Sequence, residues 1–219
     1  MSEPSPPSSA APAPNPAPDA VEARTPSPAV GLRVGQGFDV HPFSDDSGRV
    51  LVLGGVRFAD GPGLAGHSDA DVIAHAVTDA LLGAAGLGDI GQAFPDTDPA
   101  YAGADSIELL RRSVADVRSA GWEPLNVDCT VVLEQPKLAP RRPEIEARMT
   151  ATVGAPVTVK GKRPEGLGAL GRAEGIACFA VALLASRDPA RGSAADAARP
   201  STAARPSTED PVADRRGDR

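Results

Sequence analysis

The segment Gly35-Gln36-Gly37-Phe38-Asp39-Val40-His41 constrains this chain more than any other. Strand side chains alternate, so an Asp-x-His on a strand points both groups to one face. Glycine inside a strand often marks close approach by another stretch of backbone. All three histidines (His41, His67, His75) lie within 35 residues, and the second cluster reads His67-Ser68-Asp69-Ala70-Asp71-Val72-Ile73-Ala74-His75. A histidine on a nearby helix can complete a site of one oxygen and two nitrogen ligands with a position left open. That is the layout of a catalytic zinc, with manganese and cobalt as alternatives. Asp71 or Asp79 can orient His75 from behind. The plainer alternative is a histidine that merely satisfies its own polar atoms, beside acids that favour a helix N-terminus. That account suits Asp69 and Asp71 but not Asp79, which lies past the first turn.

Composition bounds where this site can sit. Residues 1–30 are rich in Pro, Ala and Ser, and residues 188–219 in Ala, Arg, Asp, Pro and Ser. Neither stretch can bury enough apolar surface to offset chain entropy, so both are expected to be disordered tails. Residues 31–187 are the expected single domain. A net charge of −7 argues against a nucleic-acid surface. No apolar run is long enough to span a bilayer. A secretory block is missing, and Glu3 and Asp19 count against a transit peptide, although a plastid address suits the Ser/Pro/Ala content. The two cysteines, Cys129 and Cys178, lie in apolar runs and fit buried thiols in a reducing cytoplasm.

Periodicity predicts a strand over residues 32–40 and a hairpin of 50–53 and 56–58 around Gly54-Gly55. A helix over residues 70–85, capped by Ser68 or Asp69, ends before Gly86 and Gly88. It stacks Asp71, His75 and Asp79 on one face. Helices are predicted over 106–120 and 143–153, and strands over 127–133 and 157–160. Residues 175–185 are apolar almost all round, and their alanines favour a buried helix over a strand. The class is α/β or α+β: a small sheet covered by helices on one side.

Several loops carry polar groups with two readings each. Leu87–Gly91 and Phe94–Pro99 are acid-Gly-acid segments that can hold sugar hydroxyls or metals, or serve as ordinary turns. Gln135–Pro140 can present backbone groups and Lys137 to an anion. Lys160–Gly168 is a cationic, Gly-punctuated loop suited to phosphate or to solvent. Arg172 and Glu174 can pair with each other or across a subunit interface.

Taken together, Arg33–His41, His67–Asp71, Thr78–Gly83, Leu87–Gly91, Phe94–Asp98 and Gly171–Ala177 resemble the 2-C-methyl-D-erythritol 2,4-cyclodiphosphate synthase family of the non-mevalonate isoprenoid pathway. The likeness runs in order from about Leu32 to Ala185. It implies cyclisation of 4-diphosphocytidyl-2-C-methyl-D-erythritol 2-phosphate with release of CMP, in a cytoplasmic homotrimer whose active sites lie between subunits. It further implies Asp39, His41 and His75 as zinc ligands. His67 and Ser68 contact the methylerythritol phosphate, His67 helping to stabilise the transition state. Asp89 and Gly91 hold hydroxyls, and Phe94, Asp96 and Asp98 line the same site. Leu133, Lys137 and Ala139 belong to a segment that receives cytosine. Glu165 binds a second divalent cation, magnesium or manganese, and Arg172 lies near the three-fold axis.

The loop after β-strand lysine 160 departs from that pattern. Lys162 and Arg163 stand where the family has phosphate-contacting threonines, Pro164 removes an N–H, and Ala169 replaces an aromatic residue of some relatives. Two rival readings follow. One is a weakened relative that binds a cytidine nucleotide or isoprenoid diphosphate without turnover. The other is a metal-dependent phosphohydrolase, suggested by the Asp/His pattern alone.

Overall fold

The computed structural model describes residues 31–59 and 61–188. The expected tails, residues 1–30 and 188–219, lie outside the described residues except for Asp188. The elements in order are β1 (Leu32–Pro42), β2 (Leu51–Leu53), β3 (Val56–Phe58), α1 (Val72–Ala85) and α2 (Ile90–Ala93), then, after a 3₁₀ turn at Pro99–Tyr101, α3 (Ser106–Ser119), β4 (Trp122–Val132), α4 (Arg142–Val153), β5 (Val157–Lys162), α5 (Gly168–Gly171) and β6 (Gly175–Ser186). The four-stranded sheet has the order β1-β6-β4-β5, with β6 antiparallel to both neighbours and β4 parallel to β5. Helices α1, α3 and α4 pack on its inner face around one apolar cluster that includes Ile73, Leu81, Leu110, Ile145, Met149 and Leu184. The mixed class and the one-sided helical cover agree with the sequence reading. So does the β2–β3 hairpin, whose Gly54 and Gly55 both take positive φ, 59° and 73°.

The glycines of β1 set the depth at which α1 docks. A Cβ at Gly37 would lie 1.9 Å from the Ala76 carbonyl oxygen, and one at Gly35 would lie 2.0 Å from that of Ala80. Only hydrogen fits between these backbones. The strand and helix run so that Gly35 meets Ala80 and Ala84, Gly37 meets Ala76, and the next inward residues of β1, Asp39 and His41, meet the first turn of α1.

Residues 175–185 correct the sequence reading: they form strand β6, not a helix. Intrinsic propensity loses here to pairing on both edges, from Leu32↔Ala185 to Pro42↔Gly175 on one side and along β4 on the other. The alanines have a sheet role: Ala180 and Ala182 face inward under the closely docked α1 and are fully buried. The cap of α1 is a second correction. Its N-cap is Asp71, whose carboxylate accepts from the N–H groups of Ile73 and Ala74 at 3.1 and 3.2 Å. The same carboxylate accepts from Gly54 N–H at 2.8 Å and Gly55 N–H at 2.5 Å, tying the hairpin to the helix. Ser68 instead closes the preceding turn by accepting from Ala70 N–H.

Candidate functional site

Asp39 Oδ2, His41 Nε2 and His75 Nδ1 converge at the inner end of β1. The carboxylate oxygen lies 3.0 Å from each ring nitrogen, and the two nitrogens lie 3.2 Å apart. Three electron-rich atoms at such distances repel unless a proton or a cation lies between them. Ligand atoms held about 2.0–2.1 Å from a tetrahedral ion stand roughly 3.3 Å from one another, so the triangle fits a divalent ion with little adjustment. Among the described residues this is the one cluster of three such side chains close enough to hold a metal.

The outer nitrogen of each ring is already engaged. His41 Nδ1 donates to the Ala65 carbonyl at 2.8 Å, which leaves Nε2 free to ligate. His75 Nε2 meets the Ser106 and Ser68 hydroxyls at 2.9 and 3.1 Å, and Ser106 Oγ donates onward to Asp69. This carboxylate–hydroxyl–imidazole chain orients His75 from behind. The sequence reading assigned that task to Asp71 or Asp79, and the structure places both elsewhere. Asp71 caps α1, and Asp79 accepts from Ile90 N–H at 2.8 Å. Burial and the neighbouring Asp69 charge push the Asp71 carboxyl up to about 6 against the pull of its backbone donors. Ser106 went unnoticed in the sequence because a lone serine 31 residues from its partner carries no spacing signal.

Electrostatics inside the triangle follow from the same contacts. Burial alone would raise the Asp39 carboxyl, but hydrogen bonds and charge from His41 and His75 outweigh it and hold it well below the usual carboxylate range. Burial pulls His41 down, and its hydrogen bond and attraction to Asp39 reverse this, so it is raised on balance.

A cavity of about 420 Å³ opens over the triangle. Of the residues expected from sequence it brings together Asp39, His41, His67, Ser68, His75, Gly91, Phe94 and Asp96, and it adds Gly66, Ile90, Tyr101 and Leu109. Phe94 and Tyr101 pack edge to face at 5.4 Å and form part of its wall. His67 donates from Nε2 to the Asp98 carbonyl at 3.1 Å, while the Asp98 carboxylate caps the 3₁₀ turn through Ala100 N–H. Asp89 caps α2 by accepting from Gln92 N–H at 2.8 Å.

Leu133, Lys137, Ala139, Lys162 and Arg163 line a different cavity of about 240 Å³, which shares no residue with the first. There Arg163 is paired with Glu134 through Nε at 3.0 Å and through a second guanidinium nitrogen. The Arg163 guanidinium, helped by the Glu165 and Gly166 backbone N–H groups, holds the Glu134 carboxyl below its ordinary range. Glu165 takes φ 53°, a left-handed conformation that strains a side-chain-bearing residue. Arg172 pairs within the chain to Glu174 at 2.6 Å. Glu165, Ala169 and Arg172 line neither cavity.

Comparison with known proteins places this geometry. The family described as the YgbB family matches residues 32–185. A Bordetella petrii protein named 2-C-methyl-D-erythritol 2,4-cyclodiphosphate synthase is 59% identical over 159 residues, covering 71% of this chain and 97% of that protein. A protein of the same name from Azoarcus sp. is 56% identical, covering 72% and 98%. Among solved structures, the bifunctional IspDF of Campylobacter jejuni aligns with TM-score 0.68 at 41% identity, covering 73% of this chain and 44% of that one. A Plasmodium falciparum IspF in complex with CDP aligns with TM-score 0.63 at 33% identity, covering 73% and 99%.

Proposed function

The chain belongs to the YgbB family, and from that premise we propose that it cyclises 4-diphosphocytidyl-2-C-methyl-D-erythritol 2-phosphate to 2-C-methyl-D-erythritol 2,4-cyclodiphosphate with release of CMP, a step of isoprenoid precursor synthesis. The observation that carries this reading is the convergence of Asp39, His41 and His75 beneath an open cavity, in a chain 59% identical to a protein named for that product.

In the proposed reaction the 2-phosphate oxygen attacks the β-phosphorus and CMP departs. Nucleophile and electrophile belong to one substrate, so proximity is built in. A phosphate is itself the nucleophile, and no side chain need act as an obligate base. Charge crowding is the main barrier. Asp39, His41 and His75 would hold a divalent ion, zinc by the borderline character of its N/O donors. When bound there, it supplies Lewis-acid charge to a phosphate oxygen. His67 and Ser68, on the wall of the same cavity, offer donors to the substrate phosphate. Gly91, Phe94 and Asp96 enclose the methylerythritol end, with Asp89 and Asp98 on the adjoining turns.

The second cavity, with Leu133, Lys137 and Ala139, is the proposed cytidine pocket, consistent with CDP in the Plasmodium falciparum relative. Lys162 and Arg163 edge this pocket as cationic donors for the diphosphate. Glu165 is the proposed ligand for a second ion, magnesium or manganese. Two cavities that share no residue within one chain are reconciled if a neighbouring subunit brings its cytidine pocket to this subunit's metal end. The outer sheet face supports such an assembly. Leu32, Val34, Phe38, Val40, Phe179 and Val181 are 45–69% exposed there, a contiguous apolar surface awaiting a partner. Arg172 lies on the turn that leads into β6. The proposed state is a homotrimer of three such faces. The domain is proposed to be residues 31–187.

The test is incubation of the purified protein with the cytidyl substrate while following CMP and the phosphorus NMR of the product. CMP with a cyclic diphosphate is the expected result. An open phosphate would instead make it a phosphohydrolase, and binding without CMP would make it a weakened relative.

A further inference from the structure

Arg49 lies between β1 and β2, outside every motif that carries the family likeness. It has no carboxylate partner within ion-pairing distance among the described residues. Its guanidinium donates instead to two backbone carbonyls of one loop: from Nε to Leu64 O at 2.7 Å and from Nη2 to Ser68 O at 2.6 Å. Charge-assisted bonds of this length are strong, and the planar fork fixes both acceptors at once. The main chain of Arg49 reinforces the clamp, because its carbonyl accepts from Gly63 N–H at 3.2 Å, where a Cβ on Gly63 would collide at 2.7 Å.

The clamped loop holds the outer nitrogens of both histidines. Ala65, next to Leu64, provides the carbonyl for His41 Nδ1. Ser68 provides one of the two hydroxyls on His75 Nε2. Gly66, between them, lies so close that a Cβ there would be 3.1 Å from the His41 ring. We propose that Arg49 is a positioning residue for the candidate metal centre, fastening the Leu64–Ser68 loop at both ends so that His41 and His75 present Nε2 and Nδ1 in fixed directions. This rests on the metal reading of Asp39, His41 and His75.

The experiment uses the full chain loaded with cobalt(II), whose visible absorption reports ligand geometry, and follows loss of cobalt to a chelator. Wild type, Arg49→Met, Arg49→Lys and His75→Ala are compared, with thermal melting recorded in parallel. Arg49→Met is expected to release cobalt about 10- to 100-fold faster than wild type with an altered visible band. Arg49→Lys, a single point donor in place of a fork, is expected to fall between. Release at the wild-type rate with an unchanged band overturns the proposal, even if the melting temperature falls, because that is what a purely structural arginine would give. Should Arg49→Met fail to fold, wild-type behaviour of Arg49→Lys overturns it equally. Failure of the wild type to take up cobalt, or full retention by His75→Ala, defeats the metal reading itself and is thereby distinguished from a failure confined to Arg49.

Discussion

The metal end of β1 and the basic wall beyond β5 are both built from charged groups, yet their construction differs. At the metal end every outer ring nitrogen has a partner, and those partners are held in turn: His41 by Ala65, His75 by Ser106 and Ser68, and Ser106 by Asp69. The three inner atoms face one another, with no other partner among the described residues. At the basic wall the charges neutralise each other. Arg163 is spent on Glu134, and Glu165 sits in a strained left-handed conformation. One region is finished within a single chain. The other parks an exposed cation on an acid beside a strained turn, a pairing that substrate or a neighbouring subunit can displace.

The largest effect that would break this contrast belongs to His75. Removal of one ligand atom of three should abolish zinc retention after dialysis, read by elemental analysis, and lower CMP release by on the order of 10²–10³-fold or more. Full zinc content in His75→Ala would mean that the finished region is finished for some other purpose. Next comes Gly37, which touches neither metal nor substrate. Gly37→Val drives branched methyls into the Ala76 backbone, so α1 must lift from β1 and carry His75 away from Asp39. Overpacking of this kind costs about 1–3 kcal/mol, roughly 3–10 °C in melting temperature. Faster metal loss should accompany it. A variant that melts early but holds zinc as tightly as wild type would separate helix docking from ligand placement.

Arg163 sharpens the other side. If its cation serves the diphosphate once substrate displaces Glu134, Arg163→Ala should reduce CMP release by about tenfold, the scale of one charged hydrogen bond, with zinc content unchanged. Glu134→Gln should then weaken the parking contact without lowering the rate. A normal rate in Arg163→Ala takes the residue out of the mechanism.

The finished region was also the legible one, for a physical reason. Strand alternation places Asp39 and His41 on one face whatever surrounds them, and Gly35 and Gly37 announce the close approach that brings a helical histidine to that face. What holds the histidines from behind was not legible. Ser106 and Arg49 act across 31 and 15–19 residues through groups with no periodicity, one a hydroxyl and the other a fork aimed at backbone carbonyls. Residues 175–185 look helical in the sequence because composition reports intrinsic preference, while a central strand is decided by pairing on both edges. The parking of Arg163 on Glu134 escaped notice too, since 29 residues separate the two and either alone looks like surface charge.

The smallest predicted effect concerns the metal-free protein and tests whether the triangle is a coupled unit. Asp39 is held below its usual 3.8 and His41 above its usual 6.5. A depressed carboxylate contributes stability that is present above 3.8 and lost as pH falls through its lower folded value. A raised imidazole contributes stability that is fully present below 6.5 and lost as pH rises through its higher folded value. The pair therefore adds stability across a window from about pH 4 to pH 6.5 that fades on both sides. Other groups titrate in this range, Asp71 among them, so the window is read as the difference between wild type and His41→Gln melting curves recorded with chelator present. That difference should be largest inside the window and shrink toward pH 8 and pH 2. A difference independent of pH would show that Asp39 and His41 do not share a proton in the empty site, and that the 3.0 Å contact between them is ordinary packing.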